Sequence, residues 1–558
     1  MGHRCQGIGC PRRLINTIPP ATRPNTQNPN KPCTLEFTVA AEATHGPTTG
    51  VPWSSDLRVL AVRFGDATAV NDGCKQLSYN ELSSRAHALA ARLMAAGVGP
   101  GQCVATLLPN GLAAVWACYG IKLTGAAEAP LNWGYTADEI GWSAGLAEFR
   151  IVVSLESRAN ELRAIDLEAL TIETFTDADP GTTLPPVPTE ARGRVMFSSG
   201  TTDRPKGAVY THGRRWIGEQ MLKASLPFAP GPGSRILMMT PFSHGAALLT
   251  FAWCDFGGEV ILLNGVDTDR VLVLLRSGSI DAVFAPPTVL AKIAAACGNE
   301  RFSGVRCVFT GTAPLTAALY EKACTIFGPV VRVTFGKTEC INPITTLGPE
   351  DTHAHFTLEE KTAGTCVGWP APGVEIRIQG EADADSGTDT PGEVWLRAPQ
   401  MSVGLIEAGS FKPHEPDGWH QTGDLGHLDS RGRLWLTGRI ADVIKTGGYR
   451  VNPDEIEALL TGIHNCGAVC VTSIPSDYWG EIIVAVAENA GDGWDAEAAD
   501  RVSVLSRHKH PRAYLRVESL PRNPQGKINR RHVCELILAT HDFRDGSYPQ
   551  LSQKNSKT

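Results

Sequence analysis

The chain reads as an α/β protein: a large N-terminal domain of parallel α/β subdomains plus a small β-barrel or antiparallel sheet, followed by a smaller, mobile C-terminal α+β domain. Three observations predict this. Apolar strand-length runs alternate with helix-length segments as far as residue 335, which implies a mainly parallel sheet covered on both faces. Between residues 364 and 439 short, glycine-punctuated strands replace that alternation, and residues 440–538 carry strands and helices of their own. A chain of 558 residues is also too long for one core.

The elements follow from periodicity and capping. Residues 1–50 are rich in Pro, Asn and Thr, which predicts a disordered leader or an upstream start without function. Arg4, Arg12 and Arg13 are not followed by a continuous apolar run, which argues against a secretory signal. Ser78 and Glu81 have capping-box spacing, and Leu82, Ala86, Leu89 and Leu93 then share a helical face that ends at Gly97. A strand at 104–108, a helix at 112–123, a second capping box at Thr136 and Glu139 and a strand at 150–153 continue the pattern. Further strands are expected at 236–239, 260–263, 282–285, 305–309 and 331–335, then at 374–378, 393–397 and 434–437 with a turn at 429–432. The expected domains are 51–438 and 439–540, with a loose tail at 541–558.

Composition narrows the function. A net charge of -7 carries no basic footprint for nucleic acid or an anionic membrane. No run approaches 18 apolar residues, so no membrane span is expected. Fifteen scattered cysteines lack zinc spacing and suit a reducing, cytoplasmic setting; Cys466 and Cys470 could share a helix face, but two buried structural thiols are the favoured reading.

The stretch MFSSGTTDRPKGAVYTH at 196–212 is built to hold phosphate. Ser198, Ser199, Thr201 and Thr202 offer hydroxyl and backbone donors, Gly200 permits close approach, and Lys206 adds a point charge. Its spacing is not that of a Walker loop, so a P-loop NTPase is disfavoured.

In its order of residues this stretch resembles the phosphate-loop signature of the adenylate-forming superfamily, which includes acyl-CoA synthetases, peptide synthetase adenylation domains and luciferases. Six further stretches match in the family's order, so the resemblance covers residues 55–540. PFSHG at 241–245 resembles the segment bordering the acyl site, which implies an acyl-site role for His244. GTAPL resembles the loop along the adenine, assigning Gly311, Thr312, Ala313 and Pro314 to the nucleotide. TFGKTE resembles the aromatic-Gly-x-Thr-Glu motif. There Thr334, Phe335 and Gly336 line the nucleotide, Thr338 offers its hydroxyl to phosphate, and Glu339 offers a hard carboxylate to Mg²⁺.

TGDLG places Asp424 where the family accepts the ribose hydroxyls, and GRIADVIKTGGYRVNPDEIE at 438–457 starts with Arg439, which in the family also reaches the ribose. PRNPQGKINR resembles the closing motif that carries the catalytic lysine, here Lys527. Lys445, Gly447, Gly448 and Tyr449 stand where the family forms a channel for a thiol once the C-terminal segment rotates. The resemblance therefore implies ATP, Mg²⁺ and CoA as cofactors or co-substrates, a fatty or aromatic carboxylic acid as substrate, and an acyl-AMP intermediate.

Two positions depart from the family. Asp203 replaces a glycine in the phosphate loop, with Arg204 beside it, and Ala441 stands where the hinge commonly has Asp or Lys. A separate carrier protein is a rival acceptor of the acyl group, and a catalytically silent nucleotide-binding regulator is the alternative of another class. The acid, the oligomeric state and the pathway are not legible in the sequence.

Overall fold

Two sheets form the body of the computed structural model, which describes residues 50–174, 181, 184, 186–198, 205–358, 364–380, 391–415, 417–463, 466–522 and 527–554. Apart from Gly50 the expected leader lies outside these residues, as do Ser199, Gly200, Thr201, Thr202, Asp203 and Arg204 of the phosphate loop.

The first sheet has a parallel core of Ala127–Pro130, Cys103–Leu107, Ile151–Ser154 and Glu168–Thr171. Arg192–Ser198 joins it in parallel, and Lys206–Thr211 then turns back antiparallel beside it. Gly404–Glu407 and Ser410–Pro413 complete that edge. The two central strands, Cys103–Leu107 and Ala127–Pro130, are buried at every position, as strands covered on both faces must be. Both expected capping boxes are made. Ser78 accepts from the backbone of Glu81 ahead of the helix Tyr79–Ala95, and Thr136 does the same with Glu139 ahead of Ala137–Ala147.

In the second sheet Thr68–Asn71, Glu259–Leu262, Arg235–Met238, Ala282–Phe284, Cys307–Gly311 and Val331–Lys337 run parallel in that spatial order. The five strands expected between 236 and 335 are all present, within about two residues of their expected bounds. Beyond Val331–Lys337 the sheet turns antiparallel, through Cys340–Leu347, Thr365–Pro370, Leu434–Arg439, His420–Leu428, Gly392–Arg397 and Glu375–Gln379. The expected antiparallel unit is therefore joined edge-on to the parallel sheet. Gly368 makes the join possible. Its φ is +90°, and a Cβ there would fall 2.1 Å from the Thr346 carbonyl oxygen.

The C-terminal segment has its own sheet of Tyr449–Val451, Ile444–Thr446, Gly480–Glu488 and Val469–Ser476, with Ala513–Val517 added in parallel. Apolar clusters cover both of its faces. Cys470 lies buried within the strand Val469–Ser476, as expected of a structural thiol, whereas Cys466 is only part-buried. The tail is not loose throughout: His541–Arg544 pairs with Gln550–Gln553, and Phe543 and Leu551 pack on an apolar cluster.

Gly368→Ala should lower stability by about 2 to 3 kcal/mol, since both strain and overpacking act at a backbone contact. An unchanged urea midpoint would contradict this account of the join.

Candidate active site

The candidate residues gather beyond the carboxyl ends of neighbouring parallel strands, where α/β sheets bind ligands. His244 follows Arg235–Met238, Gly311 ends Cys307–Gly311, and Phe335 to Lys337 end Val331–Lys337. Thr338 and Glu339 then form the turn into Cys340–Leu347.

Close backbone approach fixes this layer. A Cβ on Gly311 would lie 2.5 Å from the Thr334 carbonyl oxygen, and one on Gly336 would lie 2.9 Å from Asn342 Nδ2. Thr312 adopts φ +69° directly after, so the 311–314 loop turns sharply away from its strand. Thr334 spends its hydroxyl inside the fold, donating to the Thr345 carbonyl at 2.9 Å. That hydroxyl is therefore engaged within the sheet rather than offered to the cleft. Phe335 is half-buried between two apolar clusters. The Tyr210 hydroxyl donates to the Thr338 carbonyl at 2.7 Å and steadies the turn from below.

Asp424 is the most constrained acid in the cleft. It is 5 % exposed, and the pairing of His420–Leu428 with Leu434–Arg439 sets it opposite Arg439. Arg439 Nε lies 3.1 Å from Oδ1, and Lys337 Nζ lies 3.1 Å from Oδ2. Lys337 also donates to the Thr422 carbonyl at 2.7 Å. Each carboxylate oxygen therefore faces a cation and keeps a lone pair for a further donor.

Lys337 was not singled out by sequence, although it occupies the unassigned place inside TFGKTE. A lysine at the polar end of an apolar strand reads as solvated until the strand carrying Asp424 is laid beside it.

Lys527 reaches the same cluster from the C-terminal segment. The residue is exposed overall, and the charges of Arg439, Asp424 and Lys337 act on its amine. Loss of hydration is the main cause that lowers its pKa to about 8; Arg439 and Lys337 lower it further, and Asp424 opposes them. Lys527 also bears on His244. That histidine sits in a kinked segment, Phe242–Ala246, with a non-helical backbone, and its Nε2 is shielded without a hydrogen-bond partner among the described residues. Burial first, then Arg194 and Lys527, bring its pKa to about 4, so it is neutral near pH 7. Arg194 is a second residue that sequence reasoning missed. It is buried beside Glu128 at 3.5 Å and points one nitrogen at the Ser243 carbonyl.

Glu339 is half-buried, and among the described residues no cation pairs with it. A lone hard carboxylate at a strand end suits Mg²⁺, which keeps several waters and bridges phosphate oxygens rather than filling an all-protein cage. No group of three or more metal-ligating side chains occurs among the described residues. Lys206 opens the strand after the phosphate loop and is paired with Glu407 at 2.6 Å.

The thiol-channel candidates stand apart from this cluster. Gly447 and Gly448, at φ +56° and +85°, make the two-residue turn between Ile444–Thr446 and Tyr449–Val451. Lys445 is exposed, and the Tyr449 ring stacks on His508 at 4.2 Å.

An α/β cleft in which cations ring a buried acid beyond strand ends defines a nucleotide-handling enzyme. Residues 57–406 match the AMP-binding enzyme family, and the chain belongs to it. It is 28% identical over 532 residues to the 3-[(3aS,4S,7aS)-7a-methyl-1,5-dioxo-octahydro-1H-inden-4-yl]propanoyl:CoA ligase of Rhodococcus jostii (strain RHA1), covering 86% of this chain and 98% of that protein. It is 28% identical over 465 residues to the 2-succinylbenzoate–CoA ligase of Listeria monocytogenes serotype 4b (strain F2365), covering 83% and 94%. Its fold is shared with the o-succinylbenzoate CoA synthetase of Bacillus subtilis in complex with its acyl-adenylate intermediate, at a TM-score of 0.76, 23% identity, and coverage of 90% and 100%.

Lys337→Met removes one cation from Asp424, and a charge-assisted hydrogen bond of about 1.5 kcal/mol or more corresponds to about tenfold in binding. Calorimetry should show ATP binding about tenfold weaker, with reduced discrimination against 2′-deoxy-ATP. Unchanged affinity and discrimination would remove Lys337 from the site.

Proposed function

We infer that this chain is an ATP-dependent carboxylate–CoA ligase, an AMP-forming acid-thiol ligase that works through an acyl-AMP. The observation that carries the reading is the convergence of Lys527 on Asp424, Arg439 and Lys337 in the cleft beyond the strand ends.

The first half-reaction makes a poor electrophile reactive. A carboxylate oxygen attacks the α-phosphorus of ATP, the P–O bond to the β-phosphate breaks, and pyrophosphate leaves with the electron pair. Negative charge builds around the α-phosphate, where the Lys527 ammonium and the Thr338 hydroxyl act as preorganised donors. Asp424 accepts the ribose hydroxyls and Phe335 offers its ring to the adenine. Lys206 leaves Glu407 to meet the departing phosphates. Bound at Glu339, Mg²⁺ would supply charge neutralisation at the phosphate oxygens. His244, neutral and with a free Nε2, borders the acyl group without adding charge to it.

In the second half-reaction the CoA sulfur attacks the acyl carbon. The C–S bond forms, the mixed-anhydride C–O bond breaks, AMP takes the electron pair, and the thiol proton passes to water. The Gly447–Gly448 turn leaves room for a narrow pantetheine arm once the C-terminal segment swivels about Ile440–Asp442. The names of the relatives point to ring-bearing acids as the first class to assay, beside fatty acids. Among the described residues no cysteine is in a disulfide and most are buried, which fits a cytoplasmic setting.

A panel of such acids, assayed for AMP release with and without CoA, tests the reading. Transfer only to a carrier-borne phosphopantetheine would reassign the acceptor, and absence of pyrophosphate exchange with every acid would make the chain a silent binder. Lys527→Ala should lower pyrophosphate exchange by about 10² to 10³ while leaving the thermal midpoint in place. Because the protonated amine is the active form and its pKa is lowered to about 8, kcat/KM for adenylation should fall as pH rises through about 8. Lys527→Arg should move that limb to higher pH. A flat profile to pH 9.5, about 1.5 units above that value, would contradict the role of this amine.

A further inference from the structure

The C-terminal hairpin, outside the cleft and beyond the motif that carries Lys527, ends against the loop that backs the Gly447–Gly448 turn. Asp545 lies directly after His541–Arg544. Its carboxylate accepts from Ser476 Oγ at 2.7 Å, from the Asp477 backbone N–H at 2.6 Å and from that of Tyr478 at 3.3 Å. These donors hold the Asp545 carboxyl below the usual carboxylate range, the Ser476 hydroxyl contributing most.

The contacts continue inward. Ser476 Oγ accepts from the Trp479 backbone N–H at 2.9 Å, and Trp479 Nε1 donates to the Gly546 carbonyl at 3.1 Å. The Trp479 carbonyl accepts the Gly447 N–H at 2.8 Å. A Cβ on Gly447 would come within 3.0 Å of the Trp479 ring, and the Arg512 guanidinium lies 4.1 Å from the ring centroid. Two consecutive left-handed glycines have little conformational preference of their own. The turn is therefore held from outside, by Trp479, and Trp479 is held by the hairpin.

We propose that the hairpin is a positioning element for the thiol half-reaction. Asp545 and Gly546 fix the Ser476 to Trp479 loop, and that loop fixes the Gly447–Gly448 turn along which the pantetheine arm runs. The proposal rests on the reading of that turn as the CoA channel. None of these residues touches the cluster around Asp424, so adenylation does not depend on them.

The test uses the full chain and separates the half-reactions. In Asp545→Ala, pyrophosphate exchange should stay within about twofold of the parent, while acyl transfer to CoA from preformed adenylate slows about tenfold, within the hundredfold that a misplacement of about 1 Å can cost. Asp545→Asn, which keeps an acceptor oxygen, should recover part of the rate. Trp479→Phe keeps a ring against Gly447 but loses the donor to Gly546, and should slow transfer by a smaller factor. Equal losses in both half-reactions, or no loss of transfer in Asp545→Ala, would overturn the proposal. If the unaltered chain makes adenylate but no CoA thioester with any acid, the ligase reading itself fails. Normal transfer by the parent with unaffected variants refutes the positioning role alone.

Discussion

A buried carboxylate with a cation on each oxygen organises the cleft. Asp424 is reached by Lys337 from the end of the parallel sheet and by Arg439 from the neighbouring antiparallel strand. Burying an acid is costly unless it is paired, so the two strand systems must meet in this register for the fold to hold a charge there. Once they meet, the cleft has its shape: a fixed buried carboxylate, the aromatic ring of Phe335, and a turn that presents Thr338 and Glu339. Lys527 completes the arrangement from the C-terminal segment.

The join between that segment and the body has a matching construction. Arg439 is tied to Asp424, whereas Asp442 is tied to Arg530 at 2.6 Å. Arg530 also binds Asp454 and Glu457 and donates to the Val471 carbonyl at 3.1 Å, so Asp442 belongs mechanically to the C-terminal sheet. Burial raises the Glu457 carboxyl to about 7 against the pull of Arg530. Only Ile440 and Ala441 lie between the two anchors. A small residue at 441 suits a pivot bounded in this way, and on the proposed reading Arg530, close after Lys527 in the chain, would carry a motion of the sheet to that amine.

Much of this was legible in sequence because it is local. The Ser78–Glu81 and Thr136–Glu139 boxes, the apolar parallel strands and the glycine turns each follow from a few neighbouring residues. The ordered motifs brought Asp424, Arg439 and Lys527 forward for the same reason. Lys337 and Arg194 stayed hidden, since their meaning depends on partners brought close only by sheet register and packing. The hairpin after Thr540 was unreadable: its strands are polar, and its hold on the fold comes from Asp545 meeting backbone donors far away in the chain.

The convergence itself is the claim to measure. Competitive acetylation of the native chain across a pH series, read at Lys527 by mass spectrometry, gives the titration of that amine directly. The account predicts a midpoint near 8, and a lower one in Asp424→Asn, where Arg439 and Lys337 act on Lys527 unopposed. An amine that titrates in the ordinary lysine range and does not respond to Asp424→Asn would contradict it.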